Sequence, residues 1–433
     1  MECVSFVRSF GFLSSRRLSL SLTLLLAVGS YCFASGYRQP SDEVMKIIQA
    51  PTTPSLSLQR NGLRATLSHW PIACSLADLA QPEEKLAGLK INPVMYTKSN
   101  QIFYKSIEIV DLAGSKNNKV NVRVPKNPRL GQPTWTLDSK NIVFTHWAEK
   151  GVELWTADTT SGRSRRLIGP KLTNILASYY YRTPNPRKLI VRLRNDGKLP
   201  ARPKVPQEPV MQETTGQKAA VRTYQNLLKT PADSDLFAHL ATSQLAFVNV
   251  DNGRLEKIGK PGLYGGIDLS PDGKWLIVIR YRRPFSFTVH YGRFAKDIEL
   301  WNLRTGAVQT IVSQPIGDKI PIMGVRTGRR FVHWHGGKPA RMIWTEAQDG
   351  GDPEKSVPHR EILYAWDAPF KGEPKECCRL VHRIYGIDYL EGRDDCLVYE
   401  HDWKKRWIKV YLRDFMSGSE KIVFDYSRND VYN

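Results

Sequence analysis

Between Arg280 and Lys296 the chain reads RYRRPFSFTVHYGRFAK, its densest basic stretch. Arg280, Arg282, Arg283, Arg293 and Lys296 are interleaved there with Tyr281, Phe285, Phe287 and Tyr291. A guanidinium is a planar fork of N–H donors that matches a carboxylate with two parallel hydrogen bonds. Held on strands or their end loops, Arg280, Arg282, Arg283 and Arg293 are candidate contacts for an acidic ligand. The competing reading is plain: solvated strand ends, or internal ion pairs with aspartates such as Asp268 and Asp297.

Other motifs offer less. HWHGGKP sets His333 and His335 two apart, on one face if a strand continues through them. That spacing can seed a metal site, but no third ligand is evident, and His335 falls where similar segments carry a turn residue. In QDGGDP, Asp349 and Asp352 flank two glycines. A tight turn held by aspartate side chains is favoured there over calcium. No serine has glycine both two residues before and two residues after it, so the sharp elbow that presents a nucleophilic serine is not encoded. No catalytic group, metal or cofactor is expected.

The elements that must carry these residues are short strands. LSPDGKWLIVI (Leu269–Ile279) is a polar turn followed by an apolar strand, and PTWTLDSKNIVFTHW (Pro133–Trp147) has the same grammar. The segments after each also match: VELWTADTTSGRSRRLI (Val152–Ile168) and IELWNLRTGAVQTIV (Ile298–Val312) both read strand, Trp, turn, strand. Each unit is therefore about four strands in meander order. Weaker copies start near Ser55, Ser178, Arg330 and Gly386. A four-stranded unit cannot cover both its faces alone, whereas radial stacking covers them. The expected fold is an all-β propeller of four-stranded blades, seven in number, with six starts visible and the seventh under long insertions. Trp135, Trp155, Trp275, Trp301, Trp334 and Trp344 sit at repeat positions and are expected in the blade cores. Two insertions interrupt the pattern. Residues 75–93 have helical spacing. Residues 197–245 begin proline-rich and then read as short helices near Val221–Leu228 and Asp233–Leu240.

The chain of 433 residues is 41% hydrophobic and 24% charged, which excludes wholesale disorder. Residues 1–36 have the order of a secretory signal peptide: Arg8, Arg16 and Arg17, an apolar run from Leu18 to Val28, then small residues with cleavage expected near Ala34. An uncleaved segment would instead anchor the chain to a membrane, and Arg16-Arg17 is a weak twin-arginine signal. Export places the chain outside the cytoplasm, secreted or periplasmic. The formal net charge is +21, and +19 without residues 1–36, which hold three arginines and one glutamate. Nucleic acid fits such a charge but not export, so acidic peptides, anionic envelope polymers or a membrane surface are the better partners, and simple solubility or a generally basic proteome accounts for the charge equally well. Four cysteines remain, Cys74, Cys377, Cys378 and Cys396, in no zinc spacing. A disulfide from Cys396 to one of the adjacent pair and buried free thiols are both open.

Several long blocks carry a resemblance. GYRQPSDEVMKIIQAP, LADLAQPEEKLAGLKI, RTYQNLLKT…DLFAHLATSQL, SPDGKWLIVIRYRRPFSFTVHYGRFAKDIELW and WTEAQDGGD occur in the order found in the N-terminal half of glutamyl endopeptidase-like enzymes, serine peptidases of the prolyl oligopeptidase family. The resemblance runs from about Gly36 to the end. It implies a propeller that, in the family, covers a C-terminal α/β-hydrolase domain and restricts peptide entry. That hydrolase supplies the family's serine, aspartate and histidine, and nothing here matches those segments. The resemblance therefore implies a noncatalytic gating or peptide-selecting role, with either a separately encoded α/β-hydrolase subunit as a partner or the chain as the remnant of a shortened gene. Because such enzymes cut after acidic residues, it also implies acidic peptides at the arginine run. A docking face is expected on a helical arm over residues 37–50, through Val44, Ile47 and Ile48, and on the 197–245 insertion. The alternative is a stand-alone binding propeller of the TolB type.

Overall fold

The computed structural model describes residues 40–430, apart from 74, 100, 114–117, 202–222, 391, 392, 394 and 416. The leader expected over 1–36 and Cys74 lie outside the described residues. Among the described residues no helix is long and apolar enough to cross a membrane. The chain divides into two compact parts, residues 1–52 and 53–433. In the first, helix α1 (Asp42–Ile48) starts at Ser41, whose hydroxyl accepts from the Val44 N–H, and it carries no buried residue.

The second part is built from consecutive antiparallel meanders, the blades of a β-propeller. Blade I comprises Ser55–Leu58, Arg64–His69, Ser106–Asp111 and Lys119–Asn121. Blade II comprises Thr134–Trp135, Asn141–Ala148, Gly151–Asp158 and Ser164–Leu172, and blade III Tyr180–Arg182, Lys188–Arg194, Ser243–Asn249 and Leu255–Gly262. Blade IV runs Tyr264–Leu269, Trp275–Tyr281, Lys296–Asn302 and Val308–Gln314. Blade V runs Arg330–Trp334, Arg341–Ala347, Glu361–Asp367 and Lys375–Leu380. Blade VI runs Arg383–Tyr389, Asp395–Asp402, Trp407–Asp414 and Glu420–Ser427. Six blades stand among the described residues, one fewer than expected.

The repeated turn has a local cause. In blade IV the Ser270 hydroxyl donates to Asp272 at 2.6 Å and accepts from the Trp275 N–H at 3.0 Å, while Asp272 accepts from the Lys274 N–H. Blade II repeats this with Thr136, Asp138 and Asn141. Blade III uses Thr183 and Asn185. Such side chains fix a tight turn by bonding their own backbone. In blade V His335 takes the place of the serine: it is buried, and its Nδ1 bonds the Gly337 N–H at 3.1 Å.

The blades cohere through apolar layers between neighbouring sheets. Ile107, Ile109, Ile142 and Phe144 join blades I and II. Val152, Leu154, Val191 and Val248 join II and III. Leu245, Ile258, Leu276 and Val278 join III and IV, and Ile277, Leu300, Met342 and Trp344 join IV and V. Leu363, Cys396 and Val398 join V and VI. Trp135, Trp301, Trp334 and Trp344 are buried in these layers, and Trp155 and Trp275 pack against them, as blade-core tryptophans should. Burial of this apolar surface, at roughly 25 cal/mol per Å² removed from water, is the main force holding the sheets together.

The insertions depart from expectation. Over 75–93 only Leu76–Leu79 is helical (α2); Glu84–Leu86 and Leu89–Asn92 form a hairpin joined by Ala87 and Gly88, both at positive φ. Two left-handed residues make the tight turn whose twist suits a hairpin. A Cβ at Gly88 would lie 2.5 Å from His290 Cβ, so the turn also needs glycine for space. The helix expected at Val221–Leu228 is not there over residues 223–228. Asn226 adopts φ 58° and its carbonyl accepts from the Gly88 N–H at 2.7 Å, which ties that segment to the hairpin. The second expected helix is present as α3 (Pro231–Ala241), with Thr230 and Asp233 forming a capping box.

Candidate functional site

The four sequence-predicted arginines do not converge on one point. Arg280 lies near the end of the second strand of blade IV and Arg282 just past it, and the two meet at Asp297. Arg280 donates to Glu299 at 2.7 Å and lies 3.6 Å from Asp297; Arg282 Nε is 3.0 Å from Asp297, and its Nη2 donates to Ser313 at 2.8 Å. The hydrogen bond to Glu299 strengthens the hold of Arg280 on its proton and raises its pKa further. Arg283 turns away to α3, donating to Asp235 at 2.8 Å. Arg293 donates to the Gly317 and Ile320 carbonyls at 3.0 and 3.2 Å and so braces the segment leading to blade V. Each of the four thus has an internal partner. Asp268, the other aspartate considered, accepts from the Trp334 N–H instead.

Three further cations complete the neighbourhood. Arg192, set within the apolar run of the strand KLIVRLR, is 1% exposed and donates to the Tyr264 carbonyl at 2.8 Å and to that of Gly265. Arg326 donates to the Arg293 carbonyl at 2.8 Å and to those of Pro315 and Phe294. Both have lowered pKa values from burial, with Arg293 adding repulsion at Arg326. Lys296 stands opposite Tyr281 in the register. It is partly buried, and its ammonium has no ion-pair or hydrogen-bond partner among the described residues. Burial, with Arg326 second, pushes its pKa down to about 8. With the Arg283–Asp235 pair set aside, the six remaining cations are balanced by two carboxylates, Asp297 and Glu299, and the surplus is an electropositive field over partly dry surface. Lys296 was visible as part of the basic run. Arg192 and Arg326 carry only a weak signal, an arginine within an apolar strand and one in a loop.

The remaining candidates are structural. His333 bonds the Phe331 carbonyl and the Tyr389 hydroxyl, each at 2.8 Å, and no three-residue metal-ligand group occurs among the described residues. Asp349 is buried and accepts from Arg360 at 2.8 Å, from Arg383 at 2.6 Å and from the Gly351 N–H at 2.9 Å. Burial opposes its ionisation, but the arginine hydrogen bonds win and hold its carboxyl below the usual range. Arg383 also bonds Glu361 at 3.3 Å, so Asp349 and Glu361 fasten blade V to the first strand of blade VI. Cys377, Cys378 and Cys396 are free thiols, and burial raises Cys377 and Cys396 to about 12.

Of the expected docking face, Val44, Ile47 and Ile48 are exposed on α1 by 44%, 76% and 53%. In the second insertion, α3 uses its apolar side internally: Phe237, Leu240 and Ala241 are buried with Phe285, Phe294 and Ile91. That part of the insertion is not a bare face.

No protein-family model matches the chain. It is 34% identical over 416 residues to a probable chloroplastic glutamyl endopeptidase of Oryza sativa, covering 92% of this chain and 44% of the rice protein. It is 33% identical over 446 residues to the Arabidopsis thaliana protein of the same name, covering 98% of this chain and 46% of that one. The chain is thus a homologue of part of these glutamyl endopeptidases, and it spans less than half the length of the curated relatives it matches. Among solved structures it is similar to Pyrococcus horikoshii acylaminoacyl peptidase, at 13% identity and a TM-score of 0.43, over 87% of this chain and 46% of that one. It is also similar to the β-propeller domain of the Trilobed protease from Pyrococcus furiosus, at 14% identity and a TM-score of 0.34, over 88% of this chain and all of that one.

Proposed function

We propose that this chain is a noncatalytic, peptide-selecting propeller that favours acidic peptides and works beside an α/β-hydrolase outside the cytoplasm. The observation that carries the reading is Lys296, a partly buried ammonium without an anionic partner among the described residues, set against Arg326 on blade IV. A peptide carboxylate would supply the missing anion, and the neighbouring guanidiniums would strengthen the contact without reorganising. The names of the plant relatives fit a glutamate-directed role. Exposed Val44, Ile47 and Ile48 supply an apolar surface for that hydrolase.

The test is binding of a fluorescent glutamate-rich peptide, compared with its glutamine analogue. Wild type is expected to prefer the acidic form, and Lys296→Met to lose about tenfold of that preference, the worth of one charged hydrogen bond. Equal affinity for the two peptides refutes the acidic-peptide role. Robust hydrolysis of the peptide by the repurified chain refutes the noncatalytic one.

A further inference from the structure

A second cleft, sharing no residue with the cationic cluster, opens between residues 78–103, Arg129 and Trp147 of blade II, with a volume of about 340 Å³. That is the size of a small-ligand site. Its apolar side is Met95, Phe103 and Trp147. The two rings meet edge-on at 5.8 Å, and the Trp147 indole N–H donates to the Tyr179 hydroxyl at 3.0 Å, which fixes the ring. An aromatic wall held this way offers apolar contact at little entropic cost.

The polar side is loosely satisfied. Gln101 Nε2 reaches the Ser99 carbonyl only at 3.4 Å, and Asn92, whose Oδ1 accepts from the Val94 and Met95 N–H groups at 3.0 Å, reaches Gln81 with its Nδ2 only at 3.4 Å. The Ser99 hydroxyl is buried with no partner among the described residues. Two of the three cations are neutralised: Arg129 by Asp78 at 2.5 Å and Lys90 by Glu83 at 3.4 Å. Lys98 has no side-chain partner among the described residues. The cleft therefore holds one uncompensated positive charge, slack amides and a rigid aromatic surface.

We propose that this cleft binds the free C-terminal end of a peptide whose last residue is apolar. The α-carboxylate pairs with the Lys98 ammonium. The terminal side chain lies on Phe103, Trp147 and Met95, and the last peptide group exchanges hydrogen bonds with the Gln101 amide and accepts one from Asn92 Nδ2. A neutral ligand would leave Lys98 unpaired, and a dianion would meet Asp78 and Glu83.

The experiment is calorimetric titration of the whole chain with acetyl-Ala-Ala-Phe as its free acid, as its C-terminal amide, and with glycine replacing phenylalanine. The free acid is expected to bind about tenfold more tightly than the amide, since a charged hydrogen bond is lost with the carboxylate. The glycine peptide is expected to bind more weakly than the phenylalanine peptide. Lys98→Met, a partly exposed position whose folding is checked by its thermal midpoint, is expected to erase the difference between acid and amide. The proposal is overturned by no binding of the acid at about millimolar concentration, by equal binding of acid and amide, by indifference to the terminal side chain, or by a preference that survives in Lys98→Met. A peptide with glutamate at its end binding best would also overturn it, because that is the ligand of the other cluster.

Discussion

Blade IV and blade VI share one meander and differ in what lies against their faces. Blade IV is closed on both sides: Leu276 and Val278, both fully buried, face blade III, while Ile277 and Leu300 face blade V. Blade VI has one such layer. Cys396 and Val398 pack on blade V, but in the register Phe424 stands beside Val410 and Tyr399 on the opposite face. There Val410 and Ile408 are buried while Tyr385 and Phe424 are 55% and 56% exposed, and no apolar cluster of the described residues joins blade VI to blade I. Blade VI compensates with charge. Arg383 on its first strand grips Asp349 and Glu361 of blade V, and Arg413 donates to buried Glu400 at 2.8 Å. One sequence repeat can thus be stabilised by two-sided apolar burial in the middle of a series and by buried ion pairs near its end.

Breaking the ionic clamp should have the largest effect. Asp349→Ala strands Arg360 and Arg383 without their carboxylate and is expected to cost about 3–5 kcal/mol in chemical denaturation. The clamp is also acid-sensitive. Because Asp349 has a lowered pKa when folded, its contribution is present above the ordinary carboxylate value and fades as pH falls through the folded value. Asp349→Asn should therefore flatten the acid limb of the stability profile, read by circular dichroism against pH.

Opening the closed blade comes next. Leu276→Ala, at a fully buried position between blades III and IV, is expected to cost about 2–5 kcal/mol by transfer and cavity terms. Lys296→Met touches the same blade on its binding side. It should leave stability nearly unchanged, yet remove the decline in acidic-peptide affinity expected of wild type as pH rises through about 8, which titration of the labelled peptide at several pH values checks. Phe424→Ser is the smallest: at an exposed site of blade VI it should shift stability by no more than about 0.5 kcal/mol. A loss comparable to that of Leu276→Ala would mean that blade VI is covered in solution and would erase the contrast between the two blades.

The repeat itself was legible in the sequence because its causes are local. Ser270 and Asp272, or Thr136 and Asp138, make their turn with their own backbone, and alternation then assigns Leu276 and Val278 to one face and Ile277 to the other. Six blade starts, the core tryptophans and α3 could be read this way. The hairpin at Ala87–Gly88 could not, since its glycine is demanded by His290, far along the chain. Nor could the seventh blade be ruled on by counting, because insertions imitate missing repeats.

The site divides along the same line. Sequence determined which residues are basic and that they lie on blade IV. Only the tertiary structure decided that Arg280 and Arg282 are consumed by Asp297 and Glu299, that Arg283 serves α3, and that Arg192 and Arg326 arrive from elsewhere. Lys296 and Lys98, unpaired among the described residues, are defined by the carboxylates that do not reach them. Charge is a property of the residue, but its neutralisation depends on distance and burial, which the chain acquires only when its blades have packed.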